Sequence, residues 1–202
     1  MAGGDHVVLH NGIRDLLYDY CNRAQVRPVL EAPGLLQSGR RWPADVLVRA
    51  ATHLVPRLPD GAVPLSTPCL ALDIAVVNAL GDNHWDETRQ AGGSACQAYA
   101  CRKRQHNRAE ALCEAAGVRY LPLVWEAQGG CTPETRAFLH RLSGAVALVE
   151  GAALDDVKAR LLGQISVVLS RATGRAIRRR RALIEDQAPG VHTAVAELLL
   201  DP

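Results

Sequence analysis

The 202-residue sequence has few aromatic residues, few lysines and no long apolar run. Phe, Trp and Tyr together make up only 4% of it, and lysine occurs twice, at Lys103 and Lys158, beside 21 arginines. Apolar runs such as Leu121–Trp125 are far too short to span a bilayer, so we expect no membrane partner. The first residues lack a basic stretch followed by a long apolar one, so we expect no signal peptide.

The cysteines also lack a pattern, because no two of them have the C-x-x-C spacing. Six scattered cysteines are typical of small buried residues in a reducing compartment, and we expect an intracellular, nuclear or cytoplasmic protein. A structural zinc site usually takes four ligands with paired cysteines, so we expect no zinc. The net charge of only +2 excludes a polycation, while 48% hydrophobic and 22% charged residues favour one globular domain.

Hydrophobic periodicity and turn residues divide the chain into helices and strands. A helical pattern over 10–24 precedes three predicted strands, at 27–32, 44–48 and 69–77. A long helix is predicted from about 95 to 116, where Gly117 closes it.

The second half of the chain adds one strand and more helices. The strand is predicted over 118–127, and Thr132 with Pro133 supplies a cap and a first-turn proline for the next helix. After Gly151 the chain favours helix to about residue 186. The order predicts an α/β fold with a mixed four-stranded sheet flanked by helices, in which a core over 1–150 carries a helical extension of the same domain over 151–202.

Two aspartates lie beside or within apolar strands. Asp45 precedes the run Val46–Val48, and Asp73 stands inside the third strand, CLALDIAVV. A buried carboxylate destabilises a fold unless something neutralises it. If the two strands are neighbours, the carboxylates can meet at one sheet end and share Mg²⁺ or Mn²⁺. The alternatives are a turn residue at Asp45 and an arginine partner for Asp73.

Three stretches carry an acid before one strand, an acid within the next and a lysine on the following helix: RRWPADVLV at 40–48, LALDIAVVNAL at 70–80, and CRKRQHNRAEALCEAAGVRYLPLVWEAQGG at 101–130. This arrangement resembles the PD-(D/E)XK, or restriction-like, endonucleases, and in particular the C-terminal endonuclease region of site-specific non-LTR retrotransposon reverse-transcriptase polyproteins. The sequence departs from the simplest family pattern by one residue inserted between Pro43 and Asp45, and by Ala75 where the family often has lysine.

The resemblance implies a restriction-endonuclease-like α-β-β-β-α-β core and phosphodiester hydrolysis of DNA. It implies that Asp45 and Asp73 hold Mg²⁺ or Mn²⁺ and that Lys103 is catalytic. It also implies a reverse-transcriptase module as a partner in a longer polyprotein.

Lys103 supports this interpretation by its residue type. In a chain that otherwise uses arginine, a lysine at this place suggests a need for a compact ammonium that orients or activates a water. The alternative is an exposed charge on a basic helix face. Tyr99, one helical turn earlier, is a candidate for orienting the lysine or contacting phosphate, or it packs.

Other acids and histidines have less support. Glu31, at the end of the first strand, is a candidate third metal ligand or a surface residue. Glu126, at the end of the fourth strand, either lies just behind the metal ligands and supports them or holds the sheet end together. The longer family proteins often carry an upstream zinc knuckle, but the cysteines of one that used His6 or His10 would precede Met1. His84 either reaches the site or is solvated.

Arginines form three clusters that are candidates for DNA binding. The first is Arg40 and Arg41, and the second is Arg102, Arg104 and Arg108. The third is Arg171 and Arg175 together with the run at 178–181, which begins with Arg178 and Arg179. Such clusters would give salt-sensitive and largely sequence-independent affinity. The run at 178–181 is also typical of a nuclear localisation signal or a solvated helix end. The alternative function is a catalytically inactive, decayed retroelement domain that only binds nucleic acid or a protein partner.

Overall fold

The computed structural model describes residues 3–32, 44–51, 54, 69–78 and 93–187, and side chains from residue 7 to residue 182 within these ranges. The chain begins with helix α1 (Gly3–Arg23), which is longer than the sequence pattern indicated. Leu9, Ile13 and Leu17 form a buried stripe on it, because residues three and four apart share one face of a helix.

Four strands form one sheet in the order β1-β2-β3-β4: β1 Pro28–Leu30, β2 Val46–Val48, β3 Cys69–Val77 and β4 Val118–Glu126. The pairs β1–β2 and β2–β3 are antiparallel, and β3–β4 is parallel. The expected mixed four-stranded sheet is therefore confirmed, and β3 has the predicted bounds.

Over the range 95–116 the structure has two helices rather than the single one predicted. Helix α2 (Ser94–Gln105) is followed by a 3₁₀ turn (His106–Arg108) and by helix α3 (Ala109–Ala115). The prediction was wrong because Asn107 and Arg108 have φ angles of 53° and 57°, a left-handed conformation that interrupts an α-helix. Asparagine adopts this conformation more readily than most residues, so Asn107 was the available signal.

The last two helices agree with the sequence. Helix α4 (Pro133–Glu150) starts at Thr132, whose hydroxyl accepts a hydrogen bond from the Thr135 N–H at 3.1 Å, and it ends at Gly151 with φ 64°. Helix α5 (Leu154–Gln187) continues through both of its glycines. In the part of the chain described, no helix is both long enough and apolar enough to cross a membrane.

The two faces of the sheet differ in their packing. On the large face, which α1 and α4 cover while α5 packs on these two helices, one continuous apolar cluster joins strand residues such as Leu72 and Ile74 to Phe138 of α4 and Leu161 of α5. Helix α5 thus shares the main core with the sheet.

The split face, which α2 and α3 cover, has two small apolar clusters instead. One surrounds Leu47 and Ala71, and the other surrounds Ala75 and Cys96. Asp73 stands between Ala71 and Ala75 on β3 and therefore lies where the apolar packing of this face is interrupted.

Candidate functional site

The sheet register brings three acidic residues to one row. Val46 pairs with Leu72 in the antiparallel pair β2–β3. The residue before Val46, Asp45, therefore lies opposite the residue after Leu72, Asp73. Leu30 pairs with Val46, and the Glu31 N–H donates to the Asp45 carbonyl oxygen at 3.0 Å, so Glu31 follows in the same row. The predicted placement of Asp45 and Asp73 on neighbouring strands is found.

Two side chains bind the Asp73 carboxylate from the split face. The Lys103 ammonium of α2 lies 3.0 Å from Oδ1, and the Tyr120 hydroxyl of β4 donates a hydrogen bond to Oδ2. The Asp73 side chain is only 16% exposed, so these bonds supply the neutralisation that a carboxylate needs in such a place. The partner of Asp73 is therefore a lysine, and not the arginine that was the alternative.

Electrostatics link Lys103 to both aspartates. Burial lowers the pKa of Lys103, but the charge of Asp73, its hydrogen bond and smaller contributions from Tyr99 and Asp45 together raise it above the ordinary value. Lys103 is therefore an ammonium ion at neutral pH, which suits a group that orients water or phosphate rather than one that removes a proton. Burial, and then the charge of Asp73, raises the pKa of the Tyr120 hydroxyl, which remains a donor.

Asp45 is held differently. Its Oδ2 accepts the backbone N–H of Ile74 at 2.6 Å and lies 3.1 Å from Nε2 of His10 on α1. The hydrogen bond to Asp45 raises the pKa of His10, and burial opposes that shift only in part. Asp45 is thus held from the side of α1, which packs on the large face, whereas Asp73 is held from α2 on the split face.

Glu31 is engaged elsewhere. Its Oε1 accepts a hydrogen bond from the Arg14 guanidinium of α1 at 2.7 Å. Among the described residues, no group of three or more His, Cys, Asp or Glu side chains is arranged to hold a metal ion. The structure therefore does not bring Glu31 together with the two aspartates as a third ligand.

Glu126 lies apart from the aspartates, whereas Tyr99 lies near enough to Lys103 to contribute to its pKa. Glu126 pairs with Val77, four residues along from the Asp73–Pro122 pair, a separation of about 13 Å. The Glu126 N–H donates to the Gly130 carbonyl oxygen at 2.7 Å, and this backbone bond helps to hold the sheet end together. Tyr99 packs beside the apolar cluster of Ala75, with the Arg102 guanidinium 5.4 Å from its ring centre.

The candidate arginines differ in their exposure. Arg104 pairs with Glu110 at 3.3 Å and Glu134 at 3.9 Å, so it is held against α3 and α4. The other candidates in the described ranges are exposed: Arg102, Arg108, Arg171, Arg175, Arg178 and Arg179. The remaining candidates, Arg40, Arg41 and His84, lie outside the described residues, as does the side chain of His6.

The two aspartates are carboxylate donors of the kind that Mg²⁺ prefers. Mg²⁺ in proteins is typically held by one or two carboxylates, with water and substrate phosphate completing its octahedron. Asp45 and Asp73 supply two carboxylates in one row, within the electrostatic reach of one cation, Lys103. A bound metal would compete with Lys103, Tyr120 and His10 for these oxygens.

Two members of the site were missed by the sequence argument. Tyr120 lies inside the predicted fourth strand, and a parallel register with β3 would have placed it near Asp73. His10 entered the sequence argument only as a zinc ligand. Its contact with Asp45 spans 35 residues and depends on how α1 crosses the sheet, so no local pattern pointed to it.

The chain matches no family model, no curated protein and no solved structure.

Proposed function

We propose that this chain is a metal-dependent DNA endonuclease with a restriction-endonuclease-like core, derived from the endonuclease end of a retroelement polyprotein. The observation that carries the proposal is the contact between Lys103 and Asp73, with Asp45 opposite on the neighbouring strand. A lysine delivered by a helix to a pair of strand acids is the arrangement that the sequence resemblance implies.

The proposed chemistry is hydrolysis of a phosphodiester. Water forms a bond to phosphorus, the bond from phosphorus to one ester oxygen breaks, and the departing oxygen takes a proton that water supplied. Mg²⁺ or Mn²⁺ held by Asp45 and Asp73 would supply a water of lowered pKa and charge neutralisation at the phosphate. Lys103 would leave Asp73 in part, orient the attacking water and offset the charge that develops on the phosphate.

The proposal also includes the contacts to DNA, the cellular compartment and a partner. Exposed arginines beside Lys103, Arg102 and Arg108, supply positive charge for the phosphate backbone. All six cysteines carry free thiols, which suits the reducing conditions of the nucleus or cytoplasm. A reverse-transcriptase module is the proposed partner in a longer polyprotein.

Plasmid cleavage tests the proposal. We expect supercoiled plasmid to be nicked or linearised with Mg²⁺ or Mn²⁺ and to stay intact in EDTA. Asp45→Asn and Asp73→Asn should abolish cleavage, because each removes a metal ligand. The matched control is Asp156→Asn, an exposed acid in the first turn of α5, which should cleave normally. Cleavage that persists in EDTA or in both site variants would contradict the assignment.

One observation favours the alternative of a catalytically inactive domain. Each aspartate already has basic or hydroxyl partners, so the row is satisfied by protein groups alone. Calorimetric titration with Mg²⁺ and Mn²⁺ separates the two functions. Binding that Asp73→Asn abolishes supports the nuclease, whereas no binding together with retained DNA affinity supports the inactive nucleic-acid-binding domain.

A further inference from the structure

The second half of helix α5 leaves the core. The buried residues of this helix are Val157, Leu161, Ile165, Leu169 and Ala172, and every described side chain after Ala172 is exposed or only partly buried. We call residues 171–182 the basic arm. It is about 18 Å long, at 1.5 Å per helical residue.

The composition of the basic arm is one-sided. It holds six arginines and no acidic or aromatic residue. Arg171, Arg175 and Arg178 form one stripe, because residues four and three apart share a helix face. This stripe borders an open notch at Gly174, where an added Cβ would meet no other atom within 4 Å.

The basic arm emerges at the same end of the molecule as Asp45. A Cβ added at Gly12 of α1 would lie 2.9 Å from Cγ1 of Val168, so the two helices touch three residues before Arg171. Arg23, at the other end of α1, binds Glu150 just before α5 at 2.7 Å and 3.0 Å, so α1 and α5 run antiparallel. His10, which binds Asp45, is two residues before Gly12 and so lies toward the basic arm.

We propose that the basic arm binds the phosphate backbone of double-stranded nucleic acid, with the arginine stripe along one groove. Charge complementarity favours a polyanion, and a single helix of about 10–12 Å diameter fits a major groove about 12 Å wide. Surfaces that bind single strands rely on aromatic side chains for base stacking, and the basic arm has none. That the bound duplex is also the substrate rests on the proposed function; the binding itself does not.

Binding measurements in EDTA test the proposal without any cleavage. The full chain is titrated into a labelled duplex of about 30 base pairs, and into the matching single strand, at several salt concentrations. We expect the duplex to bind roughly tenfold tighter than the single strand. Arg171→Gln, Arg175→Gln and Arg178→Gln combined should make the negative slope of log affinity against log salt shallower by about 2–3, because each phosphate that an arginine neutralises contributes about −0.9 to that slope.

A matched variant controls for net charge. Arg119, Arg136 and Arg160 are exposed arginines outside the basic arm, and changing all three to glutamine removes the same charge. This control should keep most of the slope, and circular dichroism should show both variants folded. An equal decrease of the slope in the control, equal affinity for the single strand, or equal affinity for vesicles rich in phosphatidylserine would overturn the proposal.

The cleavage assay separates this inference from the proposed function. The arm variant should cut slowly at dilute duplex and at the parent rate at saturating duplex, because the arm contributes affinity and not chemistry. If the parent binds duplex through the arm but never cuts, the nuclease proposal fails and the arm assignment stands. If the parent cuts and the arm variant binds and cuts like the parent, the arm assignment fails alone.

Discussion

The same strands carry different kinds of side chain on the two faces of the sheet. Strand β3 places Leu70, Leu72, Ile74 and Val76 in the continuous cluster of the large face. Its alternate residues on the split face include Ala71, Asp73 and Ala75, and Asp73 interrupts the apolar packing between the two small clusters. One side of a strand can therefore supply stability while the other side holds a polar site, because successive side chains point to opposite faces.

The difference also means that the polar site lies on a sheet whose packing does not depend on it. Asp73 is held by Lys103 and Tyr120 on a sheet that the large face already fixes, so the polar contacts need not hold the strands together. Natural proteins depart from uniform apolar packing mainly at functional sites. The interruption of the split face is such a departure, and substitutions can test each side of it separately.

The largest expected effect comes from the large face. Leu72 is fully buried there, whereas Leu47 is buried in the small cluster of the split face. We expect Leu72→Ala to lower the free energy of unfolding by about 3–5 kcal/mol and Leu47→Ala by about 2 kcal/mol, since a small cluster near the site can relax around a cavity. Urea unfolding measures both. Equal losses of stability would mean that the two faces contribute alike.

The next effect is in the polar site. Tyr120→Phe removes the hydroxyl that donates to Asp73, and hydrogen bonds to charged groups contribute about 1.5–3 kcal/mol. We expect a loss of stability in that range, and a coupling of about 0.5 kcal/mol or more with Lys103→Met in a double-mutant cycle, because both groups bind one carboxylate. Tyr18→Phe, on α1, is the control. Additive effects at Tyr120 and Lys103 would show that the two act independently.

The sequence predicted more of the fold than of the site's environment. Short-range signals such as the Thr132–Pro133 cap and the apolar run of β3 located elements correctly, because their physics is local. The break at Asn107 was missed because no glycine or proline marks it. Asp45, Asp73 and Lys103 were found by residue type and order, but His10 required the path of α1 over the sheet, which is a tertiary property.

A smaller effect concerns chemistry alone. Lys103→Arg keeps the positive charge beside Asp73 but introduces a larger, planar guanidinium that fits the same space poorly. We expect DNA binding near the parent value and cleavage at least tenfold slower, a barrier increase of about 1.4 kcal/mol or more. Lys103→Ala should cut no better. The matched control is Lys158→Arg, which changes the other lysine, on α5, and should cut at the parent rate.

Two results would contradict that prediction. Cleavage by Lys103→Arg at the parent rate would reduce the lysine to part of a basic helix face. A parallel decrease of cleavage and of DNA affinity would show that the substitution disturbs binding rather than the chemical step.

The smallest effect is a pH dependence at Asp45. Because the hydrogen bond to Asp45 raises the pKa of His10, the folded state keeps a proton that the unfolded chain releases near pH 6.5. This contribution to stability is complete below that pH and is lost as pH rises through the higher folded pKa. The raised pKa of Lys103 acts only above pH 10.5 and does not enter this window.

We therefore expect the parent, unfolded by urea in EDTA from about pH 6 to 9, to lose more stability than His10→Gln does. His140→Gln, at an exposed histidine of α4, should follow the parent. If His10→Gln and the parent lose stability in parallel, the contact with Asp45 does not raise the pKa of His10 in the folded state. The contact between Lys103 and Asp73 would then be the one electrostatic contact left to the two aspartates among those described.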